Sequence, residues 1–163
     1  MNKKLPKGQA TEELPLSKAA QLILDESRML LPGIQALFGF QLIAVFNQAF
    51  SEKLTPFEQR LHLLAIGLVV LTTIIIMTPA AYHRQMEVKE VTDSFVHMAS
   101  RLMLISMLPL SVSISLDFFL VSRLILGNTV IASVIAWVSW VLFILVWIVV
   151  PRTGILNRLL GER

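Results

Sequence analysis

Asp117 is an acidic residue inside a long apolar stretch, and it is the first place to look for chemistry in this chain. Ionisable groups are costly in hydrocarbon and mark ion or proton pathways in many membrane proteins. At about 100° per residue, a helix places Ser113 and Ser106 on the same face as Asp117. This stripe of two hydroxyls and one carboxylate predicts a cation or proton site. The alternative is an acid near one membrane surface that pairs with a basic residue. The candidate basic residues are Lys53, Arg60 and Arg123.

Amide side chains are unusually frequent in the first apolar stretch, where Gln35 and Gln41 lie on different faces of a helix. Amides can line a water-filled path, and both residues are therefore candidates for the same ion or proton path. They can also serve as hydrogen bonds between helices, each contributing about 0.6–2 kcal/mol. The sequence leaves both interpretations open.

A second set of charged residues is expected at the opposite membrane surface, where three apolar stretches begin or end. Acids of the first stretch would bridge arginines of the second and third in a cytoplasmic charge cluster. Buried pairing of this kind fixes helix register more than it adds stability. The alternative is that each side chain reaches the lipid headgroups separately. The candidate members are Asp25, Glu26, Arg28, His83, Arg84 and Arg101.

The motifs of common enzymes are absent from the sequence. There are no cysteines, and the histidines His62, His83 and His97 are too scattered to ligate one metal or haem together. We therefore predict no enzyme activity, no metal site and no cofactor. The net charge of +3 is modest for so apolar a chain, and we expect no nucleic-acid partner.

The elements that must position these residues are long apolar helices. The 163 residues are 55% hydrophobic and 15% charged, with a mean hydropathy of +0.72. A bilayer-spanning helix needs about 20 mostly apolar residues. The sequence predicts an all-α fold, a four-helix transmembrane bundle with an N-terminal amphipathic interfacial helix. The predicted spans are about 29–50, 61–82, 99–121 and 129–150.

The N-terminal and C-terminal segments are more polar than these spans. Residues 1–14 are expected to be a flexible cytoplasmic N-terminus, and residues 151–163 a basic cytoplasmic tail. Between 15 and 28, apolar and charged side chains fall on opposite helix faces, which is typical of a helix that lies on the membrane surface. Pro32 and Gly33 would then bend the chain into the bilayer. The alternative is a helix continuous with the first span.

Basic residues are distributed unevenly between the two predicted sides of the membrane. Of the 14 Lys and Arg residues, all but Lys53, Arg60 and Arg123 lie in or beside the N-terminus, the middle loop or the tail. Positive charge stays on the cytoplasmic side, so both termini are predicted to be cytoplasmic, in the cytoplasmic (inner) membrane of a bacterium.

The runs LILDESRMLLPGIQALFGFQLIAVF and MTPAAYHR resemble a bacterial family of small four-span membrane proteins of unknown function. The resemblance covers roughly residues 20–120, and members of this family are sometimes labelled sodium/proton antiporters. It implies the same four-span topology. The residues to which it directs attention are Glu26, Arg28, Pro32, Gln35, Pro79, His83 and Arg84.

Two functions from different classes follow from these patterns. The first is an oligomeric ion channel or ion/proton exchanger that uses polar faces of the first and third spans. Its partners would be the lipid bilayer, further copies of the chain, and monovalent cations or protons. The second is a non-transporting accessory or structural membrane protein that packs with or docks a partner.

Overall fold

A computed structural model describes residues 15–85 and 92–153 of the chain, and every regular element among them is helical. The elements are α1 Leu16–Val45, α2 Gln48–Lys53, α3 Pro56–Gln85, α4 Asp93–Leu126, α5 Thr129–Ile144 and α6 Val150–Thr153. A turn of π-helix, Leu145–Val149, continues α5 into α6.

Four helical segments are long and apolar enough to cross a membrane, namely α1, α3, α4 and the continuous segment Thr129–Thr153. Large hydrophobic side chains cover the outside of these helices, including Phe40, Ile74, Ile125 and Trp137. Such a surface is stable in lipid and unfavourable in water. The predicted all-α bundle of four transmembrane helices is therefore confirmed.

The first helix differs from the sequence prediction. Residues 15–28 were expected to form a separate surface helix, but α1 runs without interruption from Leu16 to Val45 with Pro32 inside it. Proline removes only one helical hydrogen-bond donor, and helices in membranes tolerate this loss. Residues 16–28 are thus the first turns of α1, as the alternative interpretation had it.

The ends of the helices follow local sequence signals. Thr55 precedes Pro56, and Glu58 accepts hydrogen bonds from the Thr55 amide and hydroxyl, both at 2.8 Å. At the end of α4, Gly127 adopts a φ of 63°, and Asn128 caps the next helix by accepting from Val130 and Ile131. This turn lets α5 pack back against α4.

The first span ends earlier than predicted. α1 stops at Val45, and Asn47 caps a separate short helix, α2, by accepting a hydrogen bond from the Ala49 amide at 2.9 Å. We call this side of the bundle the α2 end. It holds the last turns of α1 and α4 and the first turns of α3 and α5.

α4 is the helix at the centre of the bundle, since it packs against α1, α3 and α5. Midway along the bundle, Ile34, Val69 and Ile76 form a buried cluster of aliphatic side chains, here called the central apolar cluster. A second apolar cluster, around Phe119 and Ala132, joins α4 to α5.

The segments 1–14 and 154–163 lie outside the described residues, and so do residues 86–91 of the middle loop. The predictions of a flexible N-terminus and a basic tail fall largely on these segments.

Candidate functional site

Four polar side chains from three helices meet near the α2 end of the bundle, and we call them the polar site: Gln41, His62, Ser113 and Asp117. Counted at 1.5 Å per residue, these residues lie about 6 to 20 Å inside the nearest helix ends. The site therefore lies below the surface of the bundle, within the span of the helices. Gln41, His62 and Ser113 are buried, and Asp117 is partly buried.

Gln41 and Ser113 connect the three helices through direct hydrogen bonds. The Gln41 side-chain amide donates to Ser113 Oγ at 3.1 Å and to Asp117 Oδ2 at 2.7 Å. Ser113 in turn donates to the Ala65 carbonyl of α3 at 2.9 Å. The sequence had placed Ser113 and Asp117 on one face and Gln41 among the path candidates, and the fold brings these three together.

His62 completes the site, and its hydrogen bonds fix where its hydrogen lies. Its Nε2 is 2.9 Å from the backbone carbonyl of Gln41. A carbonyl oxygen only accepts, so Nε2 carries a hydrogen. The other ring nitrogen, Nδ1, faces Asp117 Oδ1 at 3.4 Å. A bare Nδ1 and an ionised carboxylate would repel each other, so this geometry favours a proton on one of the two.

The sequence did not single out His62 as a member of this site, because helical periodicity relates residues on one helix and says nothing about partners on another. A signal was nevertheless present. His62 lies six residues after the start of α3 and Asp117 nine residues before the end of α4, at ends that a short antiparallel bundle must bring together. The similar depths of His62 and Asp117 from these helix ends indicate that the two side chains can pair.

Two acceptor atoms of the polar site lack hydrogen-bond donors. Within the described part of the chain, neither Gln41 Oε1 nor Asp117 Oδ1 makes a hydrogen bond, although both atoms are buried. Buried polar atoms are normally paired, so each such atom calls for an explanation.

A cavity of about 340 Å³ adjoins the polar site and extends to α2. Gln41, His62 and Asp117 contribute its polar wall, and Asn47 and Lys53 lie on its α2 side. The ring of Phe50 packs edge-on against His62, with ring centres 5.3 Å apart. The rest of the wall is apolar: Leu37, Phe40, Ala44, Ala49, Leu54, Leu120, Val121 and Leu124.

An ion pair between a buried carboxylate and a partly buried arginine lies at the same end of the bundle. Arg123 Nε is 2.6 Å from Glu58 Oε1, and Arg123 also donates to the Lys53 carbonyl at 3.3 Å. Arg123 was one of the basic residues considered as a partner for Asp117. In the structure it pairs with Glu58 instead, and it ties the α2–α3 connection to α4.

Two other path candidates lie away from the polar site. Ser106 is buried but donates to the Met103 carbonyl of its own helix at 2.6 Å, about 16 Å along α4 from Asp117. Gln35 is exposed and borders a different cavity, between α1 and α3. A continuous polar path through the bundle is not formed by these five candidates.

The opposite end of the bundle contains another cavity, of about 500 Å³, which is lined in part by Arg28, His83 and Arg84. Arg28 pairs with Asp25 on its own helix at 3.3 Å, and both side chains are exposed. Arg101 borders a separate cavity, with His97. Among the described residues, Asp25 and Glu26 form no ion pair with Arg84 or Arg101, so the bridges of the predicted charge cluster are not seen.

The central apolar cluster lies between the two end cavities. Ile76 and its neighbour Leu31 also line the cavity at the opposite end, and Leu37 lines the cavity beside the polar site. The two cavities are thus separated by packed aliphatic side chains.

Comparison with known proteins assigns the chain to a family but gives it no activity. No curated protein and no solved structure matches it significantly. The model of a family of unknown function, DUF6328, matches residues 10–151. That match covers most of the chain, including the whole polar site and all but the last two residues of the fourth membrane-spanning segment. The protein is a member of DUF6328.

Proposed function

We propose that this membrane protein is an ion/proton exchanger in which the His62–Asp117 pair takes up and releases a proton. The single observation that carries the proposal is the pairing itself. His62 Nε2 donates to the Gln41 carbonyl, which leaves Nδ1 directed at Asp117 Oδ1 at 3.4 Å. Ionisable residues inside a span are rare and mark proton relays in pumps and transporters.

The central apolar cluster favours exchange over a permanently open channel. Polar groups and a cavity reach the pair from the α2 end, whereas Ile34, Val69 and Ile76 close the route towards the opposite end. An exchanger exposes its site to one side at a time, and a closed half-path of this kind agrees with that behaviour.

The setting proposed for this activity is the cytoplasmic membrane of a bacterium, with both termini in the cytoplasm and the α2 end facing outward. The basic residues flanking the spans support this orientation. We further propose a homo-oligomer. No residue in the most apolar window of the segment Thr129–Thr153 is fully buried within one chain, and the side of this helix that does not face α4 is available to a second copy.

The test is proton flux into proteoliposomes that contain purified protein and a trapped pH-sensitive dye, under imposed gradients of Na⁺, K⁺ or a small organic cation. Asp117→Asn keeps the shape of the side chain and removes its charge, and we expect flux to fall to the level of protein-free liposomes. Asp93→Asn is the matched control, because Asp93 is an exposed acid of the same helix at the other end of the bundle. Its flux should equal that of the unaltered protein.

The absence of flux under every gradient, with folded protein in the membrane, would contradict exchange. The polar site would then be a structural link among three helices, since Gln41 and Ser113 already connect α1, α3 and α4. That outcome would favour the accessory or structural role predicted as the alternative.

A further inference from the structure

The cavity beside the polar site combines a partly exposed carboxylate with a large apolar wall. The Asp117 side chain is 22% exposed and lines the cavity, together with Gln41. A carboxylate that borders an apolar space is costly without a positive partner, and a bound cation would provide one.

The remainder of the cavity wall is unsuited to a bare metal ion. Na⁺, Mg²⁺ and Ca²⁺ require several oxygen ligands around them. Within residues 15–85 and 92–153, no group of three or more His, Asp or Glu side chains is placed to hold a metal ion. Most of the lining is aliphatic or aromatic instead, and the volume of about 340 Å³ lies within the range typical of sites for small organic molecules.

We infer that the cavity binds a small organic cation, a protonated amine with an aromatic or aliphatic body. Its ammonium group donates to the Asp117 carboxylate, and its body packs against the apolar wall, which includes the aromatic rings of Phe40 and Phe50. This inference rests on the proposed function and names the substrate class that would exchange with the proton.

The charges around the site decide what the amine displaces. His62 of α3 faces Asp117, Lys53 of α2 lies on the exposed side of the cavity, and Gln41 of α1 is neutral. A single carboxylate cannot favourably hold both the amine and the proton shared with His62. The amine therefore enters as the proton leaves, so one positive charge replaces another and the net charge of the site is unchanged.

Calorimetry on the full-length protein in lipid nanodiscs tests this exchange, with 2-phenylethylamine as the probe. Titrations in buffers of different ionisation enthalpy count the protons released. We expect saturable binding with release of about one proton per amine. Asp117→Asn should weaken binding at least about tenfold, as expected for a charged hydrogen bond. Asp93→Asn, the matched acid outside the cavity, should bind as the unaltered protein does.

A second variant and a second probe keep the inference open to refutation. Ala44→Leu narrows the cavity without altering the polar site and should also weaken amine binding. An unchanged thermal unfolding temperature would show that the weaker binding does not come from misfolding. 2-Phenylethanol has the same shape without the charge, and it should bind far more weakly. Equal affinity for the alcohol, binding without proton release, or full affinity in Asp117→Asn would each overturn the inference.

The two proposals fail in distinguishable ways. Proton flux that depends on Asp117, with no binding of 2-phenylethylamine, would refute the organic cation and leave the exchanger standing. The absence of both proton flux and binding of 2-phenylethylamine would refute the exchanger as well.

Discussion

The two ends of the bundle both contain polar and charged residues, yet they use them differently. At the α2 end, Gln41, Ser113 and Arg123 make contacts from one helix to another segment of the chain, and the polar atoms are largely buried. At the opposite end, the Asp25–Arg28 and Asp93–His97 pairs each stay within one helix and are exposed. Charge density alone therefore does not identify a site. What distinguishes the α2 end is burial together with contacts between helices.

The largest expected difference between the ends concerns their arginines. Arg123→Met would leave the Glu58 carboxylate, which is 6% exposed, without its cation, and we expect a loss of about 3 kcal/mol in the free energy of unfolding. Arg28→Met removes an exposed pair and should cost less than about 1 kcal/mol. Unfolding by SDS in mixed micelles measures both variants, and similar losses would remove the distinction between the two ends.

A smaller difference is expected between two glutamines of the same helix. Gln41→Leu deletes the donors to Ser113 Oγ and Asp117 Oδ2 and should lower the free energy of unfolding by about 1–3 kcal/mol. Gln35→Leu alters an exposed side chain and should stay within about 0.5 kcal/mol of the unaltered protein. The same SDS titration serves here. A greater loss from Gln35 would indicate that its face is covered by another chain.

The smallest expected difference in stability is between alanine variants of two buried serines of α4. Ser113→Ala removes a hydrogen bond to α3 and should cost about 0.6 kcal/mol, the average for such bonds in membrane proteins. Ser106 bonds to its own helix, so Ser106→Ala should change stability by less than that. Repeated unfolding titrations can resolve the difference between the losses of stability in the two variants. A greater loss from Ser106→Ala than from Ser113→Ala would mean that the hydrogen bond between Ser113 and Ala65 contributes little to stability.

Much of the fold was predictable because it depends on local signals. Long apolar stretches fix four helices, Thr55 and Pro56 start one of them, and Gly127 and Asn128 make a turn between two others. The continuity of α1 through Pro32 is only the alternative interpretation of the sequence, because the proline suggests a bend that the structure does not require. The separate helix α2 was missed because Asn47 sits within an apolar stretch and was not recognised as a cap.

The polar site was predictable only in part. Asp117 and Ser113 share a face of one helix, and periodicity alone relates them. Their contacts with Gln41 and His62 depend on how α1 and α3 are rotated and displaced against α4. Gln35 and Gln41 look alike in the sequence, and only packing separates an exposed amide from a buried one.

The central apolar cluster also determines where an electric field would act on this protein. A transmembrane voltage drops mainly across low-dielectric material and little across regions that water enters. With a cavity at each end, most of the drop would fall on the layer of Ile34, Val69 and Ile76. A charge that reaches Asp117 from the α2 end would cross little of the potential. A charge carried past the aliphatic layer would cross most of it, at about 2.3 kcal/mol per 100 mV for a full crossing.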